Sequence, residues 1–244
     1  MFKRVIITSG PTIEPIDPVR FISNRSSGKS GFQLAMEALK RNIEEIIFIT
    51  GPTCYIPEGV TVIPIESAMD MREQILRYFD GADVVIMAAA ISDFRVARYA
   101  ARKIKKNKET LTLQLVKNPD ILSELGRMKR PGQIIVGYAA ETDNIFENAR
   151  EKFSRKNPDL LVLNEISERN PAFNREENQV YFVTGEGIRK LEKMEKSALA
   201  AQVWDEISKI NKSYAGSVTT QHGGQKSPLI GWVRRTPAGG KKNT

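Results

Sequence analysis

Short apolar runs alternate with amphipathic segments along most of the chain. The runs are nearly continuous in Val, Ile and Leu, which is typical of strands covered on both faces in a parallel sheet. Six of them predict strands: RVIITSG, EEIIFITG, VTVIPIES, ADVVIMAAA, GQIIVGYAAE and DLLVLNEIS. Helical periodicity predicts helices over 31–41, 68–79, 119–128 and 144–156. The alternation predicts an α/β fold, Rossmann-like, with an open, mostly parallel sheet and helices on both faces.

Three segments depart from this alternation. TLTLQLV, residues 110–116, puts its leucines on one side and predicts a half-exposed strand in an inserted β flap over about 94–118. NQVYFVTGEG predicts a late edge strand, and 197–210 predict a last amphipathic helix. Residues 212–244 are rich in Gly, Ser, Thr and Lys and predict a disordered tail, which leaves 1–211 as a single domain.

Charge and composition narrow the class of protein. Of the net charge of +8, the tail supplies six cations and no carboxylate, so residues 1–211 carry only +2. A nucleic-acid-binding module, which the charge alone suggests, is therefore disfavoured. No run approaches the ~20 apolar residues of a membrane helix, and no signal peptide is evident. The single cysteine, Cys54, excludes an internal disulfide. We expect a cytoplasmic protein that binds neither membrane nor nucleic acid.

The side chains available for chemistry favour the handling of anions. The one histidine, His222, lies in the tail, so the core must use lysines, asparagines, carboxylates, hydroxyls and backbone amides. Such groups stabilise negative charge better than they build a hydrolytic triad.

The stretch RFISNRSSGKSG, residues 20–31, ends in Gly-Lys-Ser as a Walker A loop does. Position 23 is Ser23 where that motif requires glycine, so a Walker A loop is excluded. A G-x-G-x-x-G fingerprint and a ribose-binding acid are also missing, which argues against an NAD(P)-dependent oxidoreductase. The amides at the start of the next helix can bind phosphate, beside the end of the first strand; the residues are Gly10, Ser26, Ser27, Gly28 and Gly31. An ordinary helix entry is the alternative.

Other candidates follow later strands and helices. MAAAISDF leaves room for a ligand beside three alanines, and its Asp93 faces a ribose, a metal or a substrate, or else caps a turn. In RKIKKNK either Lys103 or Lys105 points inward, or the run is solvated. Asn118 is a candidate helix cap before Pro119. Lys152 and Lys156 share a helix face, so an anion between them would offset their repulsion.

These motifs, taken in order, resemble phosphopantothenoylcysteine synthetases (phosphopantothenate–cysteine ligases). The segments are GPTIEPIDPVRFISNRSSGKSG, AAAISDF, KIKK, KNPDI, GYAAETDN and RKNPDLLVLNEIS, over roughly 1–210. The resemblance is to the free-standing bacterial, CTP-dependent type. It implies that 4′-phosphopantothenate is joined to L-cysteine through an acyl-cytidylate, with CTP as co-substrate and Mg²⁺. It also implies a homodimer, and a separate decarboxylase that acts on the product.

The resemblance assigns roles by motif position. It implies Asn24 and Lys103 as catalytic residues and Asp93 as the metal ligand. It implies a nucleotide site of Gly10, Ser26, Gly28, Gly31, Ala88, Ala89, Asp93, Lys103, Pro119, Asp120, Ile121, Leu122, Tyr138, Lys152 and Lys156. It implies a substrate site of Asn24, Ala89, Ala90 and Asn164.

Overall fold

The structure, a computed structural model, describes residues 2–105, 109–166 and 176–219, with the last four given by their backbone alone. Its strands are β1 (Arg4–Ser9), β2 (Ile13–Pro15), β3 (Phe21–Ser23), β4 (Glu45–Thr50), β5 (Thr61–Pro64), β6 (Val84–Met87), β7 (Phe94–Val96), β8 (Leu115–Lys117), β9 (Ile134–Glu141), β10 (Leu160–Glu165), β11 (Glu177–Asn178), β12 (Val180–Thr184), β13 (Gly187–Lys190) and β14 (Met194–Glu195). Its helices are α1 (Lys29–Lys40), α2 (Ala68–Phe79), α3 (Ile121–Met128), α4 (Ile145–Lys156) and α5 (Lys196–Thr219).

Eight strands form one sheet in the order β13-β12-β10-β9-β6-β1-β4-β5. The six predicted strands are its parallel part, and the fold class is confirmed. From β1 the chain moves outward through β4 and β5, then returns to the other side of β1 at β6. The order therefore reverses between β1 and β6, the place where open α/β sheets bind ligands.

Helices cover both faces of the sheet. α1 and α5 pack on one face, and α2 and α3 pack on the other. α4 lies over β10 and β12. Trp204 of α5 is fully buried and donates its indole N–H to the Leu34 carbonyl of α1 at 3.0 Å. This bond satisfies the one polar atom of a large apolar side chain and fixes the last helix against the first. None of the described helices is long and apolar enough to cross a membrane.

Two strand predictions were wrong. The run at 180–184 was predicted as an edge strand, but β12 lies inside the sheet because the short β13 pairs with its outer side. Of the predicted strand 110–116, only the last two residues belong to a strand, β8, which pairs with β7 in a two-stranded ribbon. Leu111 and Leu115 are 54% and 43% exposed, so the alternation of leucines there faces no core of this chain. A second ribbon, the β2–β3 hairpin, was not predicted.

The predicted boundary of the tail was also wrong. α5 continues through Thr219, about two turns beyond the predicted end. The side chain of Tyr214 packs against the core and donates its hydroxyl to Asp159, whose side chain is 5% exposed. Burial and this hydrogen bond raise the pKa of Tyr214. Residues 220–244 lie outside the described part of the chain, so the prediction of disorder applies to them untested.

Truncation after Asn211 should therefore destabilise the protein. Loss of the partly buried Tyr214 ring and of its hydrogen bond should lower the free energy of unfolding by about 1–3 kcal/mol. For a domain of this size the midpoint Tm should fall by roughly 2–10 °C, measured by calorimetry. Truncation after Thr219 keeps every described residue and should leave Tm unchanged. Equal Tm values for the two truncations would show that the last turns of α5 contribute nothing.

Candidate functional site

Hydrogen bonds join three predicted site segments at the switch point of the sheet. The Ala90 N–H donates to the Gly10 carbonyl at 2.9 Å, and the Thr12 N–H donates to the Ala90 carbonyl at 3.2 Å. The Asn24 side-chain amide donates to the Ile91 carbonyl at 3.0 Å. The end of β1, the alanine segment after β6 and the residue after β3 therefore form one continuous wall.

The start of α1 lies against the same wall. Gly28 is the N-cap residue with φ +78°, and its carbonyl accepts from the Ser9 hydroxyl at 2.9 Å. A Cβ on Gly31 would lie 2.5 Å from Ser9 Oγ, so α1 begins in direct contact with the end of β1. Gly28 has no side chain with which to cap the helix, although the Ser27 hydroxyl accepts from the Lys29 N–H at 3.4 Å. No acidic residue occupies the first turn. The remaining N–H groups of its first turn can therefore bind an anion.

Asp93 and the residues before α3 continue the site on the other side of β6. The Asn118 N–H donates to the Asp93 carbonyl, and the Asn118 side chain donates to the Ser92 carbonyl, both at 2.8 Å. Asn118 is not the helix cap that was predicted. α3 starts later, and Asp120 caps it by accepting from the Ser123 N–H at 3.1 Å. The Asp93 side chain is exposed.

The predicted nucleotide residues at the start of α3 divide by burial. Ile121 and Leu122 are 2% and 8% exposed and pack in the core. Their side chains therefore hold α3 on the sheet, and Leu122 Cδ2 lies 2.5 Å from where a Cβ of Gly137 would be. Pro119 and Asp120 are the more accessible members of this segment.

Each of the two lysines of α4 pairs with a carboxylate. Lys156 pairs with Asp120 at 3.2 Å, and Lys152 pairs with Glu141 at the end of β9. Each positive charge has a carboxylate from a different element, which offsets their mutual repulsion. Asp120 thus joins the start of α3 to the end of α4.

Tyr138 and Asn164 lie further along the sheet. Tyr138 follows Gly137, which pairs with Met87, so it comes beside the start of the alanine segment. Its ring packs against the core, and burial raises the pKa of its phenol. Asn164 lies on β10 opposite Ala140 of β9.

Three further lysines, Lys29, Lys103 and Lys196, differ in burial and pairing. Lys103 is exposed and makes no hydrogen bond or ion pair within the described ranges. Lys29, the first residue of α1, pairs with Glu176, which raises the pKa of Lys29. Lys196 is only 6% exposed, and burial together with the nearby charge of Lys29 lowers its pKa. The sequence reasoning did not single out Lys29 or Lys196.

Other polar residues of the site were also missed. The Thr8 hydroxyl accepts from the Ala89 N–H at 3.1 Å, and the Thr12 hydroxyl accepts from the Ser92 N–H at 3.0 Å. Asp17 in the β2–β3 turn is completely buried. The motif containing Asp17 and Thr12 was recognised as a whole, but nothing local in its pattern shows which side chains face inward.

Magnesium was assigned to Asp93. Among the described residues no three His, Cys, Asp or Glu side chains are grouped to hold a metal ion. Mg²⁺ commonly binds one or two carboxylates and completes its shell with water and substrate phosphates. The exposed carboxylate of Asp93 could supply one such ligand.

Comparisons with known proteins identify the family. Residues 1–210 match the family described as DNA/pantothenate metabolism flavoprotein C-terminal domain. The chain belongs to this family. The family segment ends at residue 210, so it leaves out the last turns of α5.

Curated relatives are longer than the matched segment. The coenzyme A biosynthesis bifunctional protein CoaBC of Borreliella burgdorferi is 41% identical over 204 residues, which cover 82% of this chain and 51% of that protein. CoaBC of Bacillus subtilis is 41% identical over 213 residues, 86% of this chain and 52% of that protein. The chain spans about half the length of the curated relatives that it matches.

Solved structures share the fold. A crystal structure of the C-terminal domain of CoaBC has TM-score 0.72 and 34% identity, covering 86% of this chain and 96% of that one. A Cab2 variant in complex with phosphopantothenate-cysteine has TM-score 0.69 at 22% identity, covering 89% of each chain, a likeness of fold alone.

Gly31→Ala should disturb the contact between α1 and β1. The added Cβ would meet Ser9 Oγ at 2.5 Å and Ser9 Cβ at 2.6 Å, so the helix must shift. We expect a loss of about 1–3 kcal/mol in the free energy of unfolding, measured in urea. Gly185→Ala adds the same methyl where no atom lies within 4 Å and should change little. If both variants unfold like wild type, the close contact is not required.

Proposed function

We propose that the chain is a phosphopantothenate–cysteine ligase that uses a nucleoside triphosphate. The observation that carries the proposal is the uncapped start of α1 beside Asn24 and Gly10 at the switch point, in a family named for pantothenate metabolism. Backbone amides there suit a polyphosphate, and the neutral Asn24 amide suits an acyl phosphate next to it.

In the first step, a carboxylate oxygen of 4′-phosphopantothenate attacks the α-phosphorus of the triphosphate. The bond from that phosphorus to the bridging oxygen breaks, which releases pyrophosphate and leaves an acyl-nucleotide. Both reactants are anions, so their approach needs positive charge rather than a protein nucleophile. We assign that role to Lys103, which is exposed, with the α1 amides at Gly28 and Gly31 holding phosphate oxygens.

In the second step, the amine of L-cysteine attacks the acyl carbon. An amide bond forms, the nucleoside monophosphate leaves with the electron pair of the acyl–oxygen bond, and the amine loses a proton. We assign the acyl-nucleotide to Asn24 and the alanine wall of Ala89 and Ala90. Asn24 is oriented for this because its side-chain amide is already held by the Ile91 carbonyl.

The nucleotide we propose is CTP. The basis is the motif resemblance, which includes Lys152, Lys156 and the segment from Pro119 to Leu122. Mg²⁺ would be held by the triphosphate with Asp93, and it would neutralise charge on the phosphates and favour the departure of pyrophosphate. Tyr138 and Asn164 complete the proposed nucleotide and substrate walls.

The assembly and setting are also proposals. We propose a homodimer in the cytoplasm, whose product is consumed by a phosphopantothenoylcysteine decarboxylase. That the decarboxylase is a separate chain rests on the resemblance to free-standing synthetases, whereas the curated relatives are bifunctional. Neither rival function, an NAD(P)-dependent oxidoreductase or a nucleic-acid-binding module, has support in the family match.

The nucleotide assignment is tested by pyrophosphate release. With 4′-phosphopantothenate, cysteine and Mg²⁺, CTP should give the highest kcat/KM among CTP, ATP, GTP and UTP, and removing Mg²⁺ with a chelator should abolish turnover. Equal or better turnover with ATP would refute CTP while keeping the reaction class. Failure of all four nucleotides would refute the ligase.

The two catalytic residues should affect different steps. Lys103→Gln should slow formation of the acyl-nucleotide by roughly 30- to 1000-fold, because a desolvated charge contact is worth on the order of 2–4 kcal/mol. Asn24→Asp places a negative charge near an anionic intermediate and against the Ile91 carbonyl. It should slow the second step more, so that labelled acyl-nucleotide accumulates after single-turnover mixing with labelled CTP.

Matched substitutions at the far end of α1 serve as controls. Lys40→Gln and Asn42→Asp make the same chemical changes at exposed positions and should keep wild-type rates of both steps. The assigned roles are wrong if Lys103→Gln forms the intermediate at the wild-type rate. They are equally wrong if Asn24→Asp converts it with cysteine at the wild-type rate.

A further inference from the structure

The β2–β3 turn contains a completely buried carboxylate with five hydrogen-bond donors. Asp17 Oδ1 accepts from the backbone N–H groups of Val19 and Arg20, both at 2.9 Å. Asp17 Oδ2 accepts from Arg20 Nε at 3.0 Å, from Arg20 Nη2, and from the Ile104 N–H at 3.1 Å. The guanidinium of Arg20 balances the buried charge, which an isolated carboxylate could not sustain.

One of these five contacts, from Ile104, is not needed by the turn itself, and a further bond joins Arg20 to the same distant residue. Val19 and Arg20 lie two and three residues after Asp17, which is an ordinary local pattern for an aspartate in a turn. Ile104 is 87 residues away in sequence. Its N–H donates to Asp17, and its carbonyl accepts from Arg20 Nη2 at 3.0 Å. The backbone of Ile104 is therefore held on both sides by one ion pair.

We call the two bonds that Asp17 and Arg20 make to the Ile104 backbone the clamp, and Lys103 is the residue before Ile104. The segment that precedes Lys103 is bonded to the same turn, since the Ala100 N–H donates to the Ile16 carbonyl at 3.0 Å. Lys103 thus lies between two backbone positions that the turn holds, while its own side chain stays exposed.

The same hairpin leads directly to Asn24. β3 ends at Ser23, is paired with β2, and is followed by Asn24, whose side chain is held by the Ile91 carbonyl. One end of the hairpin therefore fixes Asn24 and the other end fixes the backbone beside Lys103. The distance between the two residues depends on a rigid connection of about ten residues rather than on the long chain between them.

We propose that Asp17 is a positioning residue, which with Arg20 clamps Ile104 and so fixes Lys103 relative to Asn24. The inference rests on the proposed function through the role of Lys103. The pKa of Asp17 supports it, because the Arg20 hydrogen bonds and those from the backbone hold that pKa well below its usual range, against the effect of burial. The carboxylate stays charged and the clamp stays closed throughout the neutral range.

Asp17→Asn tests the clamp with an isosteric change. If the turn keeps its two bonds to Oδ1, the new side-chain NH₂ group faces the Ile104 N–H and the Arg20 guanidinium, which are donors as well. We expect acyl-nucleotide formation to slow by roughly 10- to 100-fold, the usual effect of a misplacement near 1 Å. The Asp17→Asn/Lys103→Gln double variant should be no slower than Lys103→Gln alone, because Asp17 acts through Lys103.

A second pair of variants changes Ile104, the residue whose backbone N–H donates to Asp17. Ile104→Pro removes the N–H that Asp17 accepts and leaves Asp17 and Arg20 intact, so it should slow the same step. Ile104→Val keeps the N–H and should retain the wild-type rate. Hydrogen exchange at the Ile104 amide gives a readout that does not depend on activity, and it should be faster in Asp17→Asn than in wild type.

A distant buried carboxylate controls for general destabilisation. Asp159 accepts from the Ile135 N–H at 2.7 Å and pairs with Lys129 at 2.8 Å, at the opposite end of the sheet. Asp159→Asn should lower Tm, leave exchange at Ile104 unchanged, and combine additively with Lys103→Gln.

The outcomes separate the clamp from the proposed function. Additive effects of Asp17→Asn and Lys103→Gln, wild-type exchange at Ile104 in Asp17→Asn, or an Ile104→Pro variant as active as Ile104→Val would each overturn the positioning role. If wild-type protein releases no pyrophosphate with any nucleotide, the ligase assignment fails instead, and the exchange measurement still reports whether Asp17 holds Ile104.

Discussion

The close contact between the start of α1 and the end of β1 determines the rest of the site. Gly31 lies so near Ser9 that no side chain fits between them, and Gly28 takes a left-handed conformation to turn the chain into the helix. Because of this contact, the free amides of α1 open at the carboxyl end of β1, where the strand order reverses. If a side chain at position 31 pushed the helix outward, those amides would lie farther from the wall formed by the end of β1, the alanine segment and Asn24.

The hydrophobic pattern was sufficient to predict the strands of the parallel sheet. A strand that is buried on both faces consists of consecutive apolar residues, as in Ile46–Ile49, and such a run is visible in the sequence. It failed where burial depends on distant partners. The β2–β3 hairpin is short and interrupted by prolines, and its stability comes from Asp17 and its contacts. Likewise, the sequence around Tyr214 is typical of a polar tail, yet its hydroxyl donates to Asp159 and its ring packs against the core.

The candidate site shows the same division between local and distant information. Ordered motifs predicted which segments approach one another, and hydrogen bonds among Gly10, Ala90 and Asn24 now connect them. The partners of individual side chains were not predictable from spacing. The i, i+4 rule placed Lys152 and Lys156 on one face correctly but could not show that Glu141 and Asp120 come from two other elements.

Those ion pairs bear on how the proposed site, in which several cations already have a carboxylate partner, would bind two anions. Lys29, Lys152 and Lys156 each have a carboxylate partner, and the exposed member of a pair such as Lys29–Glu176 is 76% accessible. Water and salt screen the exposed Glu176 in the first of these pairs, whereas Glu141, which pairs with Lys152, is only 10% exposed. A phosphate, with more charge and more acceptors than one carboxylate, can therefore replace Glu176 as the partner of Lys29 more easily than it can replace Glu141 as the partner of Lys152. The clamped Ile104 backbone differs, because the Asp17 carboxylate that holds it is completely buried and cannot be exchanged in this way. The architecture thus combines exchangeable cations for binding with a fixed backbone for geometry.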